Sequence, residues 1–364
     1  MKTSVLLVSV ACLAQPITIE SFSVLGPRLA SQTSRTTTTS SSSSLFANLN
    51  EDNESNAEGA KNALNRRRFF ATTTAVSTSL SFFASQVAQA ADDSDEPTTP
   101  TGPICIIGAN GKTGSECVGN CIAHSIPVKA TSRSGTYSGI YSSETLLSTA
   151  PCDVTNPTTI TQAIEGSRAV IFAASASKQG GTAAAVDNEG LVNVAKACIE
   201  CKVPHLVIVS SGGVSKPDSP VYKFLNIFGK IMEEKIKGED SVRALYKDLD
   251  PSVGTYTVIR PGGLTEEEGK GVTALELNQG DVKSGRIARA DVAALCIEST
   301  LYPKLTGGTT YECYDADTAK PLGSVGMSNI MKATVKEDEV VVKTGKERRG
   351  DTFEQIFTGL SRDL

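Results

Sequence analysis

The stretch Ile104-Cys-Ile-Ile-Gly-Ala-Asn-Gly-Lys-Thr-Gly114 constrains the fold more than any other, because a short apolar run breaks into three glycines spaced three apart. A strand feeding a tight turn and then a helix fits this pattern. Gly108 permits the turn, Gly111 lets a pyrophosphate approach the backbone, and Gly114 lets the helix pack closely. Gly108, Ala109, Asn110, Gly111, Lys112, Thr113 and Gly114 are therefore candidate dinucleotide-binding residues. Although Gly111-Lys112-Thr113 looks like the end of a nucleoside triphosphate loop, that loop needs a glycine at position 106, which is an isoleucine inside the strand.

The chain before this motif reads as targeting sequence. Val5 to Ala14 is an apolar run of signal-peptide length, and residues 31–44 are almost all Ser and Thr, a composition that cannot offset its ordering entropy by burial. Arg66-Arg67-Arg68-Phe69-Phe70 then opens an uncharged run that closes on Ala88-Gln-Ala90, a small-residue cleavage pattern. Residues 1–91 are expected to be a presequence and 92–102 a linker. An uncleaved amphipathic stretch or weak anchor is the alternative.

After Ala90 the chain carries 28 Lys and Arg against 35 Asp and Glu, a net charge of −7. That acidity argues against nucleic acid or anionic lipid as the main partner. No apolar run there is long enough to span a bilayer. The only histidines are His124 and His205, so the single C-x-x-C at Cys198 and Cys201 lacks the partners of a zinc site. Redox chemistry and ordinary packing both remain open for that pair.

Strand-like runs at 103–107, 127–132, 145–149, 168–174, 204–210 and 255–260 alternate with helical patterns at 112–124, 157–165, 184–201 and 222–247. This alternation predicts an α/β fold, a Rossmann-like doubly wound parallel sheet. Residues 103–315 form the expected nucleotide-binding domain, with short strands at 271–277 and 308–314 and a helix at 289–301 making a small C-terminal subdomain. Residues 316–364 form an extension whose helix, at 351–361, places Phe353, Ile356, Phe357 and Leu360 at helical spacing as a docking face.

The run from Val128 ends in Ser132-Arg133-Ser134, about twenty residues past the glycine turn, where an acidic residue would bind the ribose hydroxyls of NAD. Arg133 instead suits the 2′-phosphate of NADP, so NADP(H) is favoured over NAD(H).

With Arg133 go Cys152-Asp-Val-Thr155, Val186-Asp-Asn-Glu-Gly190, Val207-Ile-Val-Ser-Ser-Gly212 and Tyr256-Thr-Val-Ile-Arg-Pro-Gly-Gly263. Together with the glycine turn these resemble the atypical short-chain dehydrogenase/reductase family, in its NmrA-like, NAD(P)H-binding branch, over residues 103–315. The resemblance implies that Asp153 and Val154 flank the adenine and that Ala173, Ala174 and Ser175 line the ribose and nicotinamide side. It implies that Asn188 bridges strand and helix, and that Pro261, Gly262 and Gly263 face the nicotinamide amide. Ser210 and Ser211 fall at the catalytic serine position, and Lys235 at that of the catalytic lysine. The family's tyrosine position is Ile231, so the usual general acid is missing, and Tyr222 lies too far along to replace it.

The three segments of the presequence resemble, in series, the layered targeting signal of an alga with complex plastids, which implies the thylakoid lumen, with the stroma as alternative. The expected function is a plastid reductase of a small quinone- or flavin-type acceptor. The alternative is a non-catalytic NADP(H)-binding redox sensor or assembly factor with a plastid protein partner. A nucleotide-sugar epimerase fits less well, because such members keep the Tyr-Lys pair.

Overall fold

The computed structural model describes residues 101–177, 180–227, 229–324 and 343–363. The expected presequence, residues 1–91, and nearly all of the linker lie outside the described residues.

The chain enters at β1 (Ile104–Ile107), turns through the glycines into α1 (Lys112–Ala123), and continues through β2 (Val128–Ser132), β3 (Leu147–Pro151), α2 (Pro157–Ile164) and β4 (Ala169–Phe172). A π-helical turn, Ala184–Gly190, leads into α3 (Leu191–Glu200), and β5 (His205–Val209), α4 (Pro220–Asn226), α5 (Ile231–Tyr246) and β6 (Thr255–Pro261) follow. The C-terminal part adds β7 (Gly263–Thr265), β8 (Leu275–Asn278), β9 (Lys283–Ser284), β10 (Arg286–Ala288), α6 (Arg289–Leu301), α7 (Pro303–Thr306), β11 (Thr309–Asp315), β12 (Lys320–Pro321) and α8 (Phe353–Phe357).

The main sheet has eight strands in the order β3-β2-β1-β4-β5-β6-β11-β8. All are parallel except β8, which runs antiparallel to β11. Both faces are covered, which is why β1 and β4 are apolar at every position. In β1, Ile104 and Ile106 enter the core beneath α1 and α6, while Cys105 and Ile107 enter the core beneath α2, α3 and α5. This is the doubly wound architecture expected from the alternating pattern.

Several boundaries differ from expectation. The third strand sits at 147–151 rather than 145–149 and is largely exposed, so it carries little apolar signal. The helix expected at 222–247 is two helices. Gly229 and Lys230 take φ of +74° and +61°, a left-handed step that no helix continues through. The final helix spans only Phe353–Phe357, and Gly359 at φ +84° prevents its extension. Ile356 and Phe357 are nevertheless fully buried in the α1/α6 core, beside Tyr311.

The outer edge of β8 is met by a short bridge, with Leu277 N–H donating to the Arg348 carbonyl at 3.0 Å and Arg348 N–H to the Leu277 carbonyl at 2.8 Å. Among the described residues no helix is long and apolar enough to cross a membrane. Cys198 is buried, Cys201 half-buried, and burial pushes both thiols upward, the opposite of what a reactive pair needs. Cys198 packs within the core beneath α2, α3 and α5, and Cys201 packs against its edge.

Candidate cofactor site

The strand order reverses between β1 and β4, and at the C-terminal ends of β1, β2 and β4 a cleft of about 610 Å³ opens. Gly108, at φ +85°, begins the turn that forms its floor, and a Cβ there would stand 2.9 Å from the Ala174 backbone. A Cβ on Gly114 would lie 2.2 Å from the Gly108 carbonyl oxygen, so α1 can start only where a hydrogen replaces a side chain. Gly111 differs. A Cβ there would meet only the Gly108 carbonyl, at 3.1 Å, and would otherwise project into open space.

Gly111 N–H donates to the Gly108 carbonyl at 2.9 Å, and Ala109 N–H ties the turn to β2 through Thr131 O at 3.1 Å. The Ala109 side chain itself is buried. Gly111 is the N-cap of α1 and no side chain caps the helix, so its first amides point to an anion at the same place where the Cβ-free wall leaves room. Thr113, in that first turn, is half-exposed, and its hydroxyl has no protein partner among the described residues. These features fit a pyrophosphate.

The side chains of the turn have other tasks. Asn110 Nδ2 donates to the Thr136 carbonyl at 2.8 Å and its Oδ1 accepts from Ser138 N–H at 2.9 Å, bracing the turn against the loop after β2. Lys112 points to Glu266 at 2.7 Å, which also receives Arg289 at 2.6 Å.

Arg133 lines the cleft at the end of β2 with Ser132 and Ser134, whose hydroxyls lie 3.2 Å apart. Facing them is Asp153, whose Oδ1 accepts from Thr155 N–H at 2.9 Å and Thr155 Oγ1 at 2.7 Å. Those two bonds, with some help from the Arg133 charge, hold its carboxyl below the usual range. Val154, Ala173, Ala174 and Ser175 complete the wall.

The sequence reading missed Asp187. Its fully buried carboxylate accepts from Ser175 Oγ at 2.7 Å and Ala176 N–H at 2.8 Å, and pairs with Lys235 Nζ at 2.8 Å. It belongs to the π-helical turn, which shifts the phase of the side chains relative to a regular helix. α5 comes close enough for this pairing because of Gly238, where a Cβ would lie 2.5 Å from the Asp187 carbonyl oxygen. The strand-to-helix bridge expected of Asn188 is thus made by Asp187, while Asn188 donates to Glu234 of α5 at 2.8 Å. An acidic residue in Val186-Asp-Asn-Glu-Gly190 facing a lysine on the next long helix was the available signal.

Asn188, Ser210, Ser211, Lys235, Pro261, Gly262 and Gly263 do not line the cleft. Ser210 is buried and its hydroxyl is committed to the Glu239 carboxylate. Glu239 is fully buried with Arg260 Nη2 at 2.6 Å and Arg243 Nη2 at 2.8 Å. Burial opposes its charge, yet the two guanidinium groups prevail and its carboxyl stays below the ordinary value. Ser211 Oγ reaches only the Gly212 carbonyl, at 3.3 Å. Pro261, Gly262 and Gly263 run past the loop before β10. Gly263 N–H donates to the Gly285 carbonyl at 2.8 Å, and a Cβ on Gly262 would lie 2.4 Å from that oxygen.

A family model described as NAD(P)H-binding matches residues 108–303, from the glycine turn to the end of α6 and just beyond. The chain belongs to the NAD(P)H-binding family. An uncharacterized chloroplastic protein of Arabidopsis thaliana is 28% identical over 216 residues, covering 57% of this chain and 74% of that protein. Among solved structures, the oxidoreductase ylbE of Lactococcus lactis is 18% identical with a TM-score of 0.48, covering 65% of this chain and 99% of that one. A short-chain dehydrogenase/reductase of Veillonella parvula in complex with NADP is 17% identical with a TM-score of 0.45, covering 58% and 94%. In this NAD(P)H-binding chain the family match and the cleft coincide, since the glycine turn that opens the matched segment is the floor of the cleft.

Proposed function

We propose that this chain is an NADP(H)-binding protein of the plastid, of the atypical short-chain dehydrogenase/reductase type, that reduces a small quinone- or flavin-type acceptor. One observation carries the choice of NADP(H): at the end of β2 the cleft is lined by Arg133 where NAD binders need a carboxylate. Arg133 would take the 2′-phosphate, Gly111 and the first amides of α1 the pyrophosphate, and Asp153 with Val154 the adenine. Ala173, Ala174 and Ser175 would border the ribose, with Gly108, Ala109, Asn110, Lys112, Thr113 and Gly114 shaping the turn.

When bound, the nicotinamide supplies a hydride. Among the described residues, those at the family's catalytic positions offer no acid to accompany it. Ile231 stands at the tyrosine position, the Ser210 hydroxyl is engaged by Glu239, and the Lys235 ammonium by Asp187. Such a site suits an acceptor that takes hydride readily and collects its proton from water. The same engagement of Ser210 and Lys235 favours a second reading, a non-catalytic NADP(H) sensor or assembly factor.

The chloroplastic relative supports a plastid. The three targeting segments of residues 1–91, the last of which resembles a twin-arginine signal for folded proteins, favour the thylakoid lumen over the stroma, with NADP(H) bound before export. We assign residues 103–315 to the nucleotide domain and 316–364 to an extension.

Fluorescence titration of residues 91–364 with NADPH and NADH tests the binding, and an acceptor screen tests the chemistry. NADPH oxidation that depends on a quinone or flavin supports the reductase. Tight binding without turnover, with a co-purifying partner, supports the sensor. No affinity for either nucleotide overturns both.

A further inference from the structure

Away from the cleft, a cavity of about 530 Å³ lies where β6 and β11 begin and another of about 280 Å³ is lined by Arg260, Thr310 and Glu312, with Arg243, Arg362 and Asp363 at both. Between the cavities one oxygen, Asp363 Oδ2, accepts from three donors on three elements. These are Thr310 Oγ1 of β11 at 2.5 Å, Arg243 Nε of α5 at 3.2 Å and Tyr256 Oη of β6 at 3.2 Å. Arg243 is held in place from behind by the buried Glu239, so this donor is fixed before any anion arrives.

The segment that supplies the anion is held by hydrogen bonds and not by apolar packing. Ser361 and Arg362 are exposed, and the backbone is fastened by Asp363 N–H to the Gly308 carbonyl at 2.7 Å, by the Thr309–Arg362 bridge, and by two 2.8 Å bonds between Ser361 and Gln279. No apolar side chain of residues 361–363 is buried, so its opening is inexpensive. Arg362 and Lys346, both exposed at the smaller cavity, have no ion-pair partner among the described residues and add positive potential.

We infer that this socket is a binding site for a small ligand carrying a carboxylate, which displaces the Asp363 side chain and extends into the larger cavity along Leu249, Pro251 and Tyr256. A tethered group competes at an effective concentration in the millimolar range, so a free carboxylate at similar concentration can displace it if it gains further contacts. Lys247 and Arg362 supply a second cationic contact for a dicarboxylate. The inference does not rest on the cofactor reading, because the two sites share no residue.

Hydrogen exchange of the full chain, with and without about 20 mM succinate at constant ionic strength, reads the displacement directly. Exchange across residues 361–363 is expected to rise at least about threefold as the Asp363 amide leaves Gly308. By titration, Asp363→Asn is expected to bind succinate about tenfold more tightly than the unaltered chain, since its tethered competitor has lost its charge, and Tyr256→Phe several-fold more weakly. Unchanged exchange together with equal affinity in Asp363→Asn overturns the inference. Displacement by inorganic phosphate but not by succinate overturns the carboxylate assignment.

Discussion

Lys235 Nζ lies 2.8 Å from Asp187 Oδ1, with the carboxylate fully buried and the lysine side chain 12% exposed. Because Ser175 Oγ and Ala176 N–H bond the same carboxylate, the pair fastens the end of β4, the π-helical turn and α5 to one another. A lysine held this way is part of the scaffold behind the cleft, and its charge already has a partner.

Breaking that pair leaves an uncompensated buried charge, which costs about 3–5 kcal/mol. Asp187→Asn is therefore expected to lower the denaturation midpoint sharply, while Asp187→Asn combined with Lys235→Met recovers much of the loss, since the amide oxygen still accepts from Ser175 Oγ or Ala176 N–H. Urea unfolding of the two variants checks this. A loss under about 1 kcal/mol for Asp187→Asn would mean that the pair is solvated and unimportant.

Gly111 and Gly114 should separate folding from binding. Alanine at 114 would collide with backbone 2.2 Å away, so Gly114→Ala is expected to cost about 1–3 kcal/mol and to lose nucleotide binding as well. Alanine at 111 meets one atom at 3.1 Å and open space beyond. Gly111→Ala should hold its melting temperature within a few degrees while NADPH affinity falls. Melting curves and titrations on both variants make the comparison.

Arg133→Ala is expected to weaken NADPH binding about tenfold to a hundredfold, the worth of a charge-assisted contact, and to leave NADH nearly unaffected. Equal losses for both nucleotides, or none for either, would remove Arg133 from the 2′-phosphate.

Glu312 gives a pH prediction. Burial, reinforced by the Asp281 carboxylate and incompletely offset by Arg260 at 3.4 Å, pushes its carboxyl up to about 7. The native state then holds a proton that the unfolded chain releases near the ordinary value of 4.5, so stability declines as pH rises from about 4.5 to 7. Glu312→Gln, uncharged at every pH, should flatten that decline and gain on the order of 3 kcal/mol relative to the unaltered chain at pH 8. Denaturant titrations at pH 5 and pH 8 measure the difference.

Much of this architecture was legible in the sequence because parallel strands covered on both faces must be apolar at consecutive positions, as Ala169–Phe172 and His205–Val209 nearly are. The glycine turn was legible because each glycine answers a steric demand that no other residue meets. The division of α4 from α5 was not read, although Gly229, which takes a left-handed conformation with Lys230, was its one signal; no proline marks the break. Asp187 escaped notice because the π-helical turn rotates it to face Lys235, forty-eight positions along the chain, and local periodicity carries no trace of that partner. Ser210 was given by the family resemblance, from its place at the end of β5. Its hydroxyl is taken by Glu239, and the Arg260 and Arg243 that hold that carboxylate come from elements read for other reasons.

The reciprocal bonds between Leu277 and Arg348 also bear on self-association. With them in place the β8 border of the sheet is partly capped by the same chain. Proteolytic loss of residues 343–349 would bare that border, and unpaired amide and carbonyl groups of this kind recruit a strand from a second molecule. The segment carrying Arg348 thereby occupies part of an edge to which another strand could otherwise add.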